Sequence, residues 1–184
     1  MKPICFIDMG GVLCDFVSAA CNLFGKPDAA DNWPAGEYSM GKVLGCSDNE
    51  FWRTIELQPD FWESMPPYPW HRELFALVER HGYRPFIATS PSLDPRSASG
   101  KTAWIQKHIG RHFRDYFIGG KKDVLSLCDR VLIDDNDDQC HKFGTIGGTA
   151  ILFPRPWNSN HANSKDPIGW VAENLKCRTG EGDE

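Results

Sequence analysis

The chain has 184 residues, 41% of them hydrophobic and 12% aromatic, with a formal net charge of -5, which is enough apolar material for one full core and a small insertion. The acidic balance excludes a broad basic face that would track a nucleic-acid backbone, yet permits the local cluster of cations that a small phosphorylated ligand needs. No run approaches the roughly 20 apolar residues of a membrane span, no basic-then-apolar leader opens the chain, and the 7 cysteines, scattered without a Cys-x-x-Cys pair, read as reduced thiols rather than a disulfide frame or zinc site; a soluble, cytoplasmic protein is the default expectation.

The first predicted strand, Ile4 to Asp8, is an apolar run that ends on a carboxylate and breaks into Met9-Gly10-Gly11. That is how a fold presents a nucleophilic Asp at the carboxyl edge of a parallel sheet, where N–H groups of the turn can face a phosphate. Residues 17–69 break the alternation of strand and helix. They are rich in Trp, Pro and Gly, and a structureless loop of that size is improbable in a compact domain, so they read as a small helical insertion. A helix from Trp70 to Arg80 follows, with Leu74, Leu77 and Val78 at helical spacing and His81-Gly82 as its stop.

Next come a strand over Pro85 to Thr89, a helix over Lys101 to His108, strands over Tyr116 to Gly119, Val131 to Asp134 and Ala150 to Phe153, and a last helix over Ile168 to Lys176. The polar tail from Arg178 to Glu184 reads as disordered. Strands alternating with helices predict a doubly wound, Rossmann-like α/β fold with a parallel sheet covered on both faces. Its core comprises residues 1–16 and 70–177, and its cap residues 17–69.

The remaining candidates fall at strand ends, where a ligand site on such a sheet belongs. Thr89-Ser90-Pro91 offers two hydroxyls and turn N–H groups to a phosphate oxygen. Asp134-Asp135 sets adjacent anions in one loop, a repulsion that a hard cation such as Mg2+ removes. Lys122, Lys121 beside it, and Lys101 are the candidate phosphate cations.

Taken in order, these segments resemble the haloacid dehalogenase (HAD) phosphohydrolases. Phe6-Ile7-Asp8-Met9-Gly10-Gly11-Val12-Leu13-Cys14-Asp15-Phe16 is most similar to the Asp-Met-Asp-Gly-Val-Leu-x-Asp-Phe of the 5'(3')-deoxyribonucleotidases. Thr89-Ser90-Pro91 resembles their second motif, a lysine near Lys122 the third, and Leu132-Ile133-Asp134-Asp135 the fourth. The resemblance implies Asp8 as nucleophile, Mg2+ held by Asp8, Asp135, Asp134 and the backbone carbonyl of residue 10, and phosphate held by Thr89, Ser90, Lys122 and Lys101. The implied substrate is a nucleoside monophosphate, with homodimerisation left open. The tryptophans of the insertion either form its own small core or, as Trp33 and Trp52 with Phe16, make an apolar slot for a flat base.

One departure stands out. The second Asp of the family's first motif, its general acid/base, is Gly10 here. A backbone carbonyl survives the change, but proton transfer does not, and losing a general acid/base costs on the order of 100-fold to 10,000-fold in rate. Three explanations follow: an inactivating change in an ordinary nucleotidase, a protein that binds a nucleotide or phosphate without hydrolysing it, or other chemistry on the same scaffold. For the last, phosphonoacetaldehyde hydrolases resemble this motif in carrying a small residue at that position, but they need a cap lysine for a Schiff base, for which only Lys26 and Lys42 are available.

Overall fold

The computed structural model describes residues 2–179, with side chains through residue 175. Its centre is a sheet of β1 Ile4–Ile7, β2 Arg84–Thr89, β3 Tyr116–Ile118, β4 Val131–Asp134 and β5 Thr149–Leu152, all parallel, in the order β3-β2-β1-β4-β5. Phe6 of the central strand pairs with Phe86 on one side and Leu132 on the other. Cys5, Ile7, Ile87, Leu132 and Ile133 are all buried, as strands covered on both faces require. Because the strands run the same way, β1, β2 and β4 end on one edge, and Asp8, Thr89 and Asp134 stand there together. The doubly wound α/β fold expected from the sequence is the fold observed.

Between β1 and β2 run α1 Phe16–Leu23, α2 Asp28–Asp31, α3 Met40–Leu44, α4 Asp48–Glu56, α5 Phe61–Ser64 and α6 His71–Arg80; α7 Pro95–His108, α8 Asp137–Thr145 and α9 Pro167–Thr179 follow. The insertion is helical because its sequence carries helix starts. Ser47 and Glu50 form a reciprocal capping box at α4, whose Phe51 and Ile55 are buried. α6 buries Leu74, Leu77 and Val78 and is followed by Gly82 at φ 84°. The insertion is tied to the core where the Trp104 indole N–H of α7 donates to the Met65 carbonyl at 2.7 Å. At Gly100 a Cβ would come within 2.6 Å of the Trp62 Cβ, so glycine is what lets α7 approach α5.

Three helices differ from the sequence reading. α7 starts at Pro95, a full turn and more before Lys101, because Asp94 caps it and Pro95 opens it; its first residues carry little apolar periodicity, which hid them. α8 was not expected at all. Asn136 caps it by accepting from the Gln139 N–H at 2.9 Å, but only Cys140 and Phe143 are buried, too few to make a periodic pattern. α9 continues to Thr179, past the start of the stretch read as tail, and residues 180–184 lie outside the described residues. Cys5, Cys14, Cys21 and Cys140 are buried free thiols, and no disulfide occurs among the described residues. Among those residues no helix is long and apolar enough to cross a membrane.

Candidate active site

β1 delivers Asp8 to the sheet edge, and the Asp8 N–H donates to the Ile133 carbonyl at 2.9 Å, which locks it to β4. The chain then folds back sharply. The Met9 carbonyl accepts from the N–H groups of Val12, Leu13 and Cys14, and the Gly11 N–H donates to the Cys14 carbonyl. Gly11 sits at φ 79°, and a Cβ there would lie 2.7 Å from Cγ of Asp135 and 3.0 Å from the Trp157 ring. Glycine at position 11 is therefore demanded by both backbone and packing. Gly10 is under neither demand: its φ is not left-handed, and a Cβ would meet only the Phe16 Cβ, at an ordinary 3.8 Å. Among the described residues the N–H groups of Met9 and Gly10 and the Gly10 carbonyl have no hydrogen-bond partner. Free turn N–H groups suit an anion, and a free carbonyl suits a cation.

Lys122 is almost wholly buried, at 2% exposure. Its Nζ donates to Asp8 Oδ1 at 2.5 Å and to Asp134 Oδ2 at 2.6 Å. Of the two adjacent lysines it is Lys122 that reaches the edge, since Lys121 is exposed. Asp134 Oδ1 accepts from the Asn136 N–H at 3.0 Å. Asp135 Oδ2 accepts from the Trp157 indole N–H at 2.6 Å, and the Asn158 amide donates to the carbonyls of Asp135 and Phe153 at 2.9 and 2.8 Å. Trp157 and Asn158 thus orient the acidic loop, a role that the sequence alone did not assign to them.

The acidic edge carries charge in excess. Burial pushes the Asp135 carboxyl above the ordinary range, and the charges of Asp8 and Asp134 push it further. Burial also raises Asp134, with Lys122 opposing. Burial alone would lower Lys122, but Asp134 and Asp8 outweigh it and hold the ammonium above its usual range. One oxygen from each of Asp8, Asp134 and Asp135 lies within 4.8 Å of the others. Three carboxyl groups crowd around one ammonium, which bonds two of them, so the edge is short of positive charge. An all-oxygen donor set with that deficit fits a hard divalent cation, with the Gly10 carbonyl as a further oxygen.

On the β2 side, Lys101 is 6% exposed. Its Nζ donates to Thr89 Oγ1 at 3.0 Å and to the Ser90 carbonyl at 2.5 Å, and it lies 5.0 Å from the centre of the Trp62 ring. Burial lowers its pKa, and the Asp8 charge works against that shift. The structure therefore brings Asp8, Gly10, Thr89, Ser90, Lys101, Lys122, Asp134 and Asp135 to one cleft of about 1250 Å3.

Phe16, at the start of α1, and the insertion that follows it supply the opposite wall. Phe16 is its centre, stacked on Trp62 at 5.9 Å and tilted against Trp52 at 6.3 Å. Trp33 also lines the cleft, but it is anchored: it packs edge-on against Trp157 at 6.0 Å, and its indole N–H donates to the Glu37 carbonyl at 2.7 Å. Trp62 was not singled out from the sequence. It is 4% exposed, and its indole N–H has no partner among the described residues. Within Phe61-Trp62, the order of two aromatics does not disclose which will face the cleft.

Comparison with known proteins settles the family. The sequence matches the family described as 5' nucleotidase, deoxy (pyrimidine), cytosolic type C, over residues 2–175. The chain belongs to this family. Its solved structural relatives are haloacid dehalogenase-like hydrolases. One from Xanthomonas campestris superposes with a TM-score of 0.57 at 13% identity, covering 97% of this chain and 94% of that one. A HAD family hydrolase from Deinococcus radiodurans, solved with bound phosphate and sodium, gives 0.56 at 12% identity, with 91% and 88% covered. A mutant of CbbY from Rhodobacter sphaeroides, in complex with xylulose-(1,5)bisphosphate, gives 0.52 at 16%, with 86% and 89% covered. A search of curated proteins gave no match. At these identities the structures establish the HAD-type fold, and the family match establishes a phosphohydrolase scaffold of the nucleotidase kind.

Proposed function

We propose that this protein is a Mg2+-dependent phosphomonoester hydrolase of the 5'(3')-deoxyribonucleotidase kind, with nucleoside monophosphates as its substrates and Gly10 as the cause of a strongly reduced rate. The observation that carries the reading is the convergence of Asp8, Lys122, Asp134 and Asp135 at one sheet edge beneath an aromatic wall centred on Phe16. In this reading residues 17–69 act as the substrate-selecting cap, and a cytoplasmic location suits the buried, unpaired thiols.

Asp8 attacks phosphorus: its carboxylate oxygen bonds to P as the ester P–O bond breaks, giving an aspartyl phosphate. Lys122 neutralises the transferring group on one side. Lys101 fixes Thr89 and the Ser90 carbonyl on the other, and the free N–H groups of Met9 and Gly10 receive phosphate oxygens. Asp8, Asp134, Asp135 and the Gly10 carbonyl are the groups that would hold Mg2+, which when bound supplies the positive charge the three carboxylates lack. Phe16, with Trp52 and Trp62, offers flat surface to a base. What the chain lacks is a side chain at position 10 to protonate the leaving oxygen and later activate water.

A nucleotide-binding protein that does not hydrolyse would use the same residues and differ only in rate. The unstrained backbone and open space at Gly10 favour a site that has lost one side chain and is otherwise intact. A Schiff-base chemistry has no such support: Lys26 donates to the Leu44 carbonyl at 2.7 Å, Lys42 pairs with Glu37, and neither lines the cleft. The test of substrate class is Mg2+-dependent phosphate release by Gly10→Asp from deoxynucleoside, ribonucleoside and sugar phosphates. Turnover is expected for the nucleotides, and turnover confined to sugar phosphates would overturn the reading.

A further inference from the structure

Besides Trp33, the insertion reaches the acidic edge through a hydroxyl. Tyr38, between α2 and α3, lines the cleft, and its phenolic oxygen lies 2.6 Å from Nδ2 of Asn136. The direction of that hydrogen bond is fixed by what Asn136 does elsewhere. Its Oδ1 caps α8 by accepting from the Gln139 N–H at 2.9 Å, so its Nδ2 must be the group that faces Tyr38 and must donate. The Tyr38 oxygen is therefore the acceptor, and its own hydrogen is left to donate elsewhere. Tyr38 is 52% exposed, and a phenol, with its ordinary pKa of about 10, keeps its hydrogen at neutral pH; the negative charges of Asp135, Asp134 and Asp8 only favour the protonated form further. Asn136 is itself fixed to the acidic loop, its N–H donating to Asp134 Oδ1 at 3.0 Å.

We propose that Tyr38 is a substrate-contacting residue, which hydrogen-bonds an oxygen of the phosphate held over Asp8 and, through Asn136, clasps the insertion to the acidic loop when the site is filled. The inference rests on the phosphate site of the preceding section and adds a donor that comes from the insertion. Asp8, Gly10 and Tyr38 line the same cleft, and a Cβ at position 10 would meet only the Phe16 Cβ, so no side chain at that position fills the space beside Asp8. A neutral hydroxyl adds a donor without adding charge. Its removal is expected to weaken phosphate binding about tenfold or more, as for hydrogen bonds to charged groups.

The experiment is calorimetric titration of orthophosphate, with Mg2+ present, into the chain, Tyr38→Phe and Asn136→Ala, alongside thermal melts of each. Tyr38→Phe keeps the ring and removes only the hydroxyl, so an altered melting point would report loss of fold rather than of the contact. The expected result is about tenfold weaker phosphate binding by Tyr38→Phe at an unchanged melting point, with a smaller loss of binding for Asn136→Ala, which frees Tyr38 and, by removing the α8 cap, also lowers the melting point. Equal affinity of Tyr38→Phe and the chain would overturn the contact and leave the phosphate site standing. If Tyr38→Phe melts lower and binds weakly, Tyr38→Met decides: it fills space without any hydrogen-bond donor, and normal phosphate affinity there sinks the proposal. If the unaltered chain binds no phosphate with Mg2+, the phosphate site itself falls and the Tyr38 contact falls with it.

Discussion

On the floor of the cleft the charged groups hold one another: Lys122 bridges Asp8 and Asp134, and Trp157 holds Asp135. On the wall formed by the insertion the contacts are aromatic and incomplete. Trp52 is 42% exposed, and Trp62 carries an indole N–H with no partner among the described residues. The floor is preorganised before any ligand arrives, which is how electrostatic stabilisation of a transferring phosphoryl group is obtained. The wall offers surface that a ligand completes. On the proposed function, chemistry belongs to the floor and substrate choice to the wall, and substitutions in each half should fail differently.

The largest effect belongs to the floor. In a Gly10→Asp background, Asp8→Asn should lower phosphate release by on the order of 10,000-fold or more, as loss of a nucleophile does. A modest loss in steady-state kinetics would move the nucleophile elsewhere. Next is Lys122→Met, which strips the ammonium from three buried carboxylates and should cost about 3–5 kcal/mol in urea denaturation, as breaking a buried pair does. Added Mg2+ should restore part of that loss through binding to the folded state.

The adjacent glycines give a sharper contrast within the floor itself. Gly11→Ala forces a Cβ into the Asp135 carboxylate at a left-handed φ and should destabilise by about 2 kcal/mol or more. Gly10→Ala should stay within about 0.5 kcal/mol, since it meets neither obstacle. Equal denaturation midpoints for the two variants would remove the distinction on which the reading of Gly10 depends. The smallest effect belongs to the wall. Trp62→Phe keeps a ring against Phe16 and removes a donor that has no partner, so stability should change by less than about 1 kcal/mol. Affinity for a deoxynucleoside monophosphate, measured by calorimetry, should fall several-fold. Unchanged affinity would take Trp62 out of substrate contact.

The same division explains what the sequence disclosed. A strand ending in a carboxylate is a local pattern, so Asp8, Thr89 and Asp134 could be placed at one edge once parallel strands were recognised, and each strand boundary shifted by at most one residue. Spacing favours Lys122 over Lys121 but leaves both open, because only the backbone turn into Lys122–Leu125 decides which of the two points inward. The wall was legible only as a composition. Trp52 and Trp62 sit on α4 and α5 and Trp33 in the loop after α2, and their mutual placement follows from tertiary packing, so the sequence singles out Trp33 and Trp52 but not Trp62, which stacks on Phe16. Tyr38 carried no signal at all, since its meaning depends on Asn136, 98 residues away. α8 was missed for a related reason: its cap was readable, but two buried residues could not outweigh a polar surface.

The central claim is that position 10 lacks an acid/base in a site otherwise competent for phosphoryl transfer. The most direct test is the rate of Mg2+-dependent phosphate release from deoxynucleoside monophosphates by the chain, Gly10→Asp and Gly10→Asn, measured side by side. Gly10→Asp is expected to exceed the chain by about 100-fold to 10,000-fold, with Gly10→Asn, similar in size but unable to carry the proton, remaining near the chain. Equal rates for Gly10→Asp and Gly10→Asn, or no gain from either, would contradict the claim.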